Sequence, residues 1–115
     1  MKAYEQVAVN FATALVERRW VNALQLLTRS MRREYSAREL EENLDSMYSG
    51  YADGPATKVI FDPEFSWEDW PAKQKDDAGM AYVSVVGDDF NEAVTVIVSQ
   101  IGPDLLIREI IWGRP

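Results

Sequence analysis

The run Ala93-Val94-Thr95-Val96-Ile97-Val98-Ser99-Gln100-Ile101 sets the architecture, with Met80-Ala81-Tyr82-Val83-Ser84-Val85-Val86 before it and Leu105-Leu106-Ile107-Arg108-Glu109-Ile110-Ile111-Trp112 after it. These runs are rich in β-branched and aromatic side chains, which suit a pleated, half-buried surface. The turn-forming stretches Gly87-Asp88-Asp89 and Gly102-Pro103-Asp104 join them, so the segment predicts an antiparallel meander. Alternate residues of a strand share a face, which sets Ala93, Thr95, Ile97, Ser99 and Ile101 against Val94, Val96 and Val98. In the last strand Leu105, Ile107, Glu109 and Ile111 oppose Leu106, Arg108, Ile110 and Trp112. A sheet wetted on one side alternates apolar with polar residues. The alternation here is weak, so both faces are expected to be covered. A second copy of the chain is the economical cover, because two-fold dimers bury identical patches; the other cover is residues 57–79 folded back over that face.

Toward the N-terminus the period changes from two to helical. Val7, Ala8, Phe11, Ala14 and Leu15 recur at three- and four-residue steps between Ala3 and Arg19, which predicts a first amphipathic helix. After a break near Arg18-Arg19-Trp20, the stripe Ala23, Leu24, Leu27 and Met31 predicts a second. Ser36 and Glu39 have capping-box spacing, and the helix they open turns Leu40, Leu44, Met47 and Tyr48 inward. It is expected to stop at Ser49-Gly50, with a turn at Asp53-Gly54-Pro55. Thr57 to Asp62 and Glu64 to Trp70, divided at Asp62-Pro63, read as a hairpin or as one bulged strand, and Pro71 to Gly79 as a polar loop. Helices segregated from a contiguous antiparallel sheet define an α+β domain, here three N-terminal helices on a curved sheet spanning residues 1–115.

Composition narrows the chemistry. A chain of 115 residues that is 47% hydrophobic and 27% charged has the size and balance of one globular core. Nineteen acidic residues against twelve basic ones give a net charge of −7, which repels phosphate backbones and favours a basic protein partner over nucleic acid. Arg29, Arg32 and Arg33 fall among helix-forming residues and read as a solvated face. The chain has no cysteine and no histidine. That removes disulfides, thiolate metal sites, cysteine nucleophiles and histidine-based acid–base catalysis, and no cofactor is expected. The acids near Trp67 lack the ligand spacing of a calcium loop, so no metal is expected either. The opening Met1-Lys2-Ala3-Tyr4-Glu5-Gln6 is unlike a secretory signal, and no run approaches the roughly 20 apolar residues of a membrane span. A cytoplasmic location and no membrane partner are the simplest expectation.

The order of helices before sheet, with Phe11-Ala12-Thr13-Ala14-Leu15, Ala23-Leu24-Gln25-Leu26-Leu27 and the closing Ile107-Arg108-Glu109-Ile110-Ile111-Trp112, resembles the nuclear transport factor 2-like (cystatin-like) superfamily over nearly the whole chain. The resemblance is one of architecture and apolar spacing. It implies a cone whose cavity lies between concave sheet and helices, open to a small ligand in enzymatic members and filled in others. Those members include isomerases, dehydratases, transport factors and toxin-neutralising immunity proteins. No catalytic motif of an enzymatic branch carries over, and the histidine-based dehydratase arrangement is impossible here.

Glu109 is the catalytic candidate, since a carboxylate buried among Leu105, Ile107 and Ile111 would have a raised pKa, as a general acid or base requires. Set against this is a glutamate at a sheet margin, paired with an arginine or solvated. Tyr4, Tyr35, Tyr48, Tyr51 and Tyr82 are phenolic donors or packing residues. Phe65, Trp67, Trp70 and Trp112 stand near Glu68 and Asp69, a combination that suits a protein-binding surface or a packed rim in equal measure. The expected function is non-catalytic protein binding or scaffolding, with an immunity-type role as one version. The alternative is a carrier or acid–base enzyme, isomerase- or dehydratase-like, holding a small apolar ligand in the cone.

Overall fold

The computed structural model describes residues 1–48, 55–88 and 91–113. Four helices, α1 (Ala3–Val16), α2 (Trp20–Gln25), α3 (Arg29–Glu34) and α4 (Ala37–Tyr48), precede four strands, β1 (Lys58–Trp67), β2 (Asp77–Val86), β3 (Asn91–Ile101) and β4 (Asp104–Trp112). The strands form one antiparallel sheet in the order β1-β2-β3-β4, so the expected α+β class and the terminal meander are both present. No helix among the described residues is long and apolar enough to cross a membrane. The helix stop at Ser49-Gly50, Tyr51, the Asp53-Gly54 turn and Asp89 lie outside the described residues.

Helix α1 ends where the sequence breaks. The Arg19 amide donates to the Ala14 carbonyl at 2.8 Å and the Arg18 amide to Leu15 at 3.0 Å, the paired bonds of a Schellman motif. Arg18 takes the left-handed conformation, φ 58°, usually left to glycine. Its guanidinium reaches Glu41 and Asp45 of α4 at 3.1 and 3.2 Å and lies 5.8 Å from the Trp20 ring centroid, which joins the corner to α4. Ser36 and Glu39 exchange the capping-box bonds at 3.2 and 3.3 Å.

The expected second helix is two. The Ile107 amide donates to the Leu26 carbonyl at 2.8 Å, and the Thr28 amide to the Ile107 carbonyl at 2.9 Å, so residues 26–28 join the outer edge of β4 as a short parallel bridge. Thr28, held extended, then caps α3 by accepting from the Met31 amide at 3.2 Å. Backbone groups already used by a strand cannot continue a helix.

Ala81, Val83 and Val85 of β2, Val94, Val96 and Val98 of β3, and Ile107 and Ile110 of β4 bury one face against Phe11, Leu15, Leu27, Leu40 and Leu44. Burying each large side chain stabilises by about 2 kcal/mol. The other face is closed at its centre within a single chain, for Tyr82, Ala93, Thr95, Ile97 and Ser99 are all buried. Phe65 of β1 stacks on Tyr82 with centroids 4.2 Å apart and Trp67 lies 6.3 Å from the same ring. Thr95 Oγ1 donates to the Gly113 carbonyl at 2.7 Å, which draws the end of β4 over that side.

Register shifts bend the sheet. The segments before and after Asp62-Pro63 are one strand, shifted between Phe61, which faces Val83, and Ser66, which faces Ala81. In β4, Ile97 faces Glu109 but Val98 faces Ile107, so Arg108 is the extra residue. This bulge corrects the expected face of Leu105, Ile107, Glu109 and Ile111. Leu105 and Ile107 belong with the helices, as do Ile110 and Trp112 after the bulge, while Glu109 and Ile111 turn outward.

β2 starts at Asp77, inside the expected loop. Its buried carboxylate accepts from Arg108 Nε at 2.6 Å and Nη2 at 2.7 Å, from Ser99 Oγ at 2.7 Å and from the Gln74 amide at 2.8 Å. This clamp ties the start of β2 to β3 and to the bulge of β4. Burial would raise the Asp77 pKa, but the bonds from Arg108, Ser99 and Gln74 outweigh it and lower it from 3.8 to about 2. A depressed carboxylate stabilises the fold above its unfolded pKa and loses that contribution as pH falls through the folded value, here between about 4 and about 2, by about 2 kcal/mol. Asp77→Asn should remove this acid-sensitive component and cost about 3 kcal/mol at neutral pH, because Arg108 loses its buried bidentate partner and keeps only the exposed Glu109 at 3.5 Å. Urea unfolding of both proteins at several pH values checks it, and parallel curves between pH 4 and 2 would rule the clamp out as a major support.

Candidate functional site

The first turn of α1 and the second half of β1 form the walls of an open cleft of about 820 Å³, lined by Met1, Lys2, Tyr4, Glu5, Phe61, Pro63, Ser66 and Glu68. It exists because β1 is bulged, so that Phe61 and Ser66 both turn toward α1 while the residues between them swing out of register. Asp62 Oδ1 accepts from the Glu64 amide at 3.0 Å and shapes the bulge around Pro63.

At the back of the cleft three side chains form a chain of hydrogen bonds. Ser66 Oγ donates to Glu5 Oε2 at 2.5 Å, and Tyr4 Oη lies 2.6 Å from Ser66 Oγ. A serine hydroxyl has one hydrogen. Since that hydrogen goes to Glu5, the bond from Tyr4 must be donated by the phenol. The other Glu5 oxygen accepts from the Lys2 amide at 2.7 Å, which also satisfies an orphan donor at the helix start. Glu5 is only 7% exposed. Burial pushes its pKa up, yet the bonds from Ser66 and the Lys2 amide prevail and hold it below the ordinary glutamate value. The buried carboxylate is therefore charged at neutral pH. Across the mouth the Lys2 ammonium pairs with Glu68.

The Tyr4 ring has its seat on Gly79. A Cβ at residue 79 would lie 2.3 to 2.4 Å from Tyr4 Cε2, Cδ2 and Cζ, well inside van der Waals contact. The missing side chain on β2 is thus what lets the phenol lie flat and reach Ser66.

Glu109 lies elsewhere. It is on the outward face of β4, its side chain 49% exposed, with Arg108 Nη1 at 3.5 Å. The aromatic and acidic residues around Trp67 are parted by strand alternation. Phe65 and Trp67 point to the outer face with Tyr82, whereas Ser66 and Glu68 point into the cleft. Trp70 follows the strand, with the Lys73 ammonium 5.9 Å from its ring centroid, and Asp69 is exposed beside it. Trp112 is on the helix side, 6.4 Å from the Tyr35 ring, donating from Nε1 to the Tyr35 hydroxyl at 3.3 Å. Glu5 and Ser66 were not among the sequence candidates. Their separation of 61 residues leaves no local pattern, and the one trace is an early glutamate in the first turn of an amphipathic helix.

Gly79→Ala should destabilise the protein by about 2 kcal/mol through overpacking. Adding Tyr4→Ala should recover part of that loss, so the double variant is less destabilised than the sum of the single ones. A thermodynamic cycle from urea unfolding measures the coupling, and strict additivity would show that the ring does not depend on residue 79.

The chain matches no family model, no curated protein and no solved structure.

Proposed function

We propose that this chain is a non-catalytic protein-binding or scaffold domain of the nuclear transport factor 2-like kind, homodimeric through its outer sheet face, and that it engages a basic partner along β1. The observation that carries the reading is the filled interior. Phe11, Leu15, Leu27, Leu40 and Leu44 occupy the space between helices and sheet with at most 1% of their surface exposed, so a small apolar ligand inside the cone has little support. Glu68 at the mouth of the cleft is exposed and the β1 aromatics Phe65 and Trp67 are half-buried, so a partner meets these first, with Tyr4 and Glu5 lining the cleft behind. An immunity-type role against a basic toxin is one concrete form of this activity.

Pairing through the outer face draws support from what one chain leaves half-covered there. Trp67, Met80, Leu106 and Ile111 are each of intermediate exposure, and Ile60 is 46% exposed. A closed two-fold contact would bury these side chains against themselves. Sedimentation equilibrium should give twice the mass of one chain, and Trp67→Lys should return it to that of one. Affinity capture at moderate salt should retain a basic protein on the wild type and less of it on Asp69→Asn/Trp70→Ala, which leaves the outer sheet face intact. A single-chain mass at high micromolar concentration would remove the dimer, and repeated empty captures would remove the binding role.

A further inference from the structure

We propose that the cleft between the first turn of α1 and the bulged half of β1 is a seat for one lysine or arginine side chain projecting from the protein partner. The proposal rests on the binding reading and names the chemistry of the contact.

Hydrogen-bond direction is the first argument. An ionised carboxylate only accepts, so the order Tyr4 to Ser66 to Glu5 is fixed, and the hydrogens of both hydroxyls are already committed within the relay. What the relay offers to the cleft is lone pairs on Tyr4 Oη and Glu5. Glu68 adds further acceptors at the mouth. Such a lining selects a donor, and a charged one bonds most strongly.

Charge is the second. The donors that satisfy Glu5, the Ser66 hydroxyl and the Lys2 amide, are neutral. Two carboxylates line the cleft, and the Lys2 ammonium pairs with one of them, Glu68, while it and the N-terminal ammonium act on Glu5 only through space. A cation bonded directly to these carboxylates would supply the charge-assisted contact that the neutral donors to Glu5 do not. The Lys2 contact is itself informative, since it places a primary ammonium at the mouth of the cleft. Both partners are exposed, at 59% and 57%, and an exposed pair contributes little, so it yields readily to a better-held cation.

Shape is the third. Phe61, Pro63 and Met1 supply an apolar wall for an aliphatic stem, and the carboxylates supply the end for its head. The cleft is open, whereas a free small molecule usually needs about 70–90% of its surface covered. A side chain anchored in a larger interface does not.

The test is panning of phage-displayed random dodecapeptides on the full chain, followed by anisotropy titration of the selected peptides. The selected sequences should converge on a lysine or arginine whose replacement by norleucine weakens binding by roughly tenfold or more. Two exposed positions give opposite signs without threatening the fold. Glu68→Gln should weaken the peptides by roughly two- to fivefold, and Lys2→Ala, by removing the competing ammonium, should tighten them by a similar factor. Peptides lacking a basic residue, or basic peptides indifferent to both substitutions, would overturn the cleft as the seat. If those same peptides are lost on Trp70→Ala, the binding role stands without it. A panning that retains no peptide defeats the cleft and the binding role together.

Discussion

The contact of the Tyr4 ring with Gly79 fixes where α1 begins relative to the sheet. One turn of helix is about 5.4 Å, so a displaced Tyr4 would carry Glu5 and Lys2 with it. The seat on Gly79 brings the phenol to Ser66, Ser66 to Glu5, and the Glu5 carboxylate back to the amide that opens the helix. Further along the same helix Phe11 and Leu15 are fully buried. Helix α1 is thus held at its start by a polar chain and at its centre by apolar packing, and the cleft is the gap that this placement leaves beside a bulged strand.

The buried polar residues share one logic. Glu5, Asp77, Thr95 and Ser99 each lie below 9% exposure, and each is tied to a segment distant in sequence. An unsatisfied group at any of these sites would cost roughly 1–3 kcal/mol. Except for Thr95, which bonds Gly113 just past the end of β4, their bonds occur where the sheet departs from regular pairing: Ser66 after the bulge in β1, Asp77 at the shift that starts β2, and Arg108 at the bulge in β4. The irregularities bend the sheet, and the polar side chains pin each bend.

Strands β2, β3 and β4 were legible in the sequence because valine, isoleucine and threonine alternate between turn residues over long runs, and the Ser36 capping box was legible because its partners are three residues apart. The split at Leu26-Leu27-Thr28 was not, since its cause is the edge of β4 at Ile107, 80 residues on. The same limit explains Glu109. A strict two-residue period carries its face through from Leu105, and only the pairing with β3 reveals that Arg108 is extra. Asp77 belonged, by local composition, to a polar loop; its role depends on Arg108, 31 residues away. Local periodicity therefore reached the elements and missed the points where distant residues interrupt them.

The alternation along β1 gives that strand two different surfaces. Phe65 and Trp67 reach the outer face, where they pack with Tyr82. Ser66 and Glu68, the residues between and after them, face the cleft, where the acceptors gather. As a linear sequence, Phe65-Ser66-Trp67-Glu68-Asp69-Trp70 is a single aromatic and acidic patch. Along the strand it is two patches on opposite faces of the sheet, with different chemistries. An aromatic anchor and a steering carboxylate act together only when one partner can touch both. On β1 they are parted, the rings lying with Tyr82 on the outer face and the Glu68 carboxylate in the cleft beside α1. Of the nineteen acidic residues, Glu5 and Glu68 are thus brought into one cleft by backbone geometry that the bulge and Gly79 hold in place.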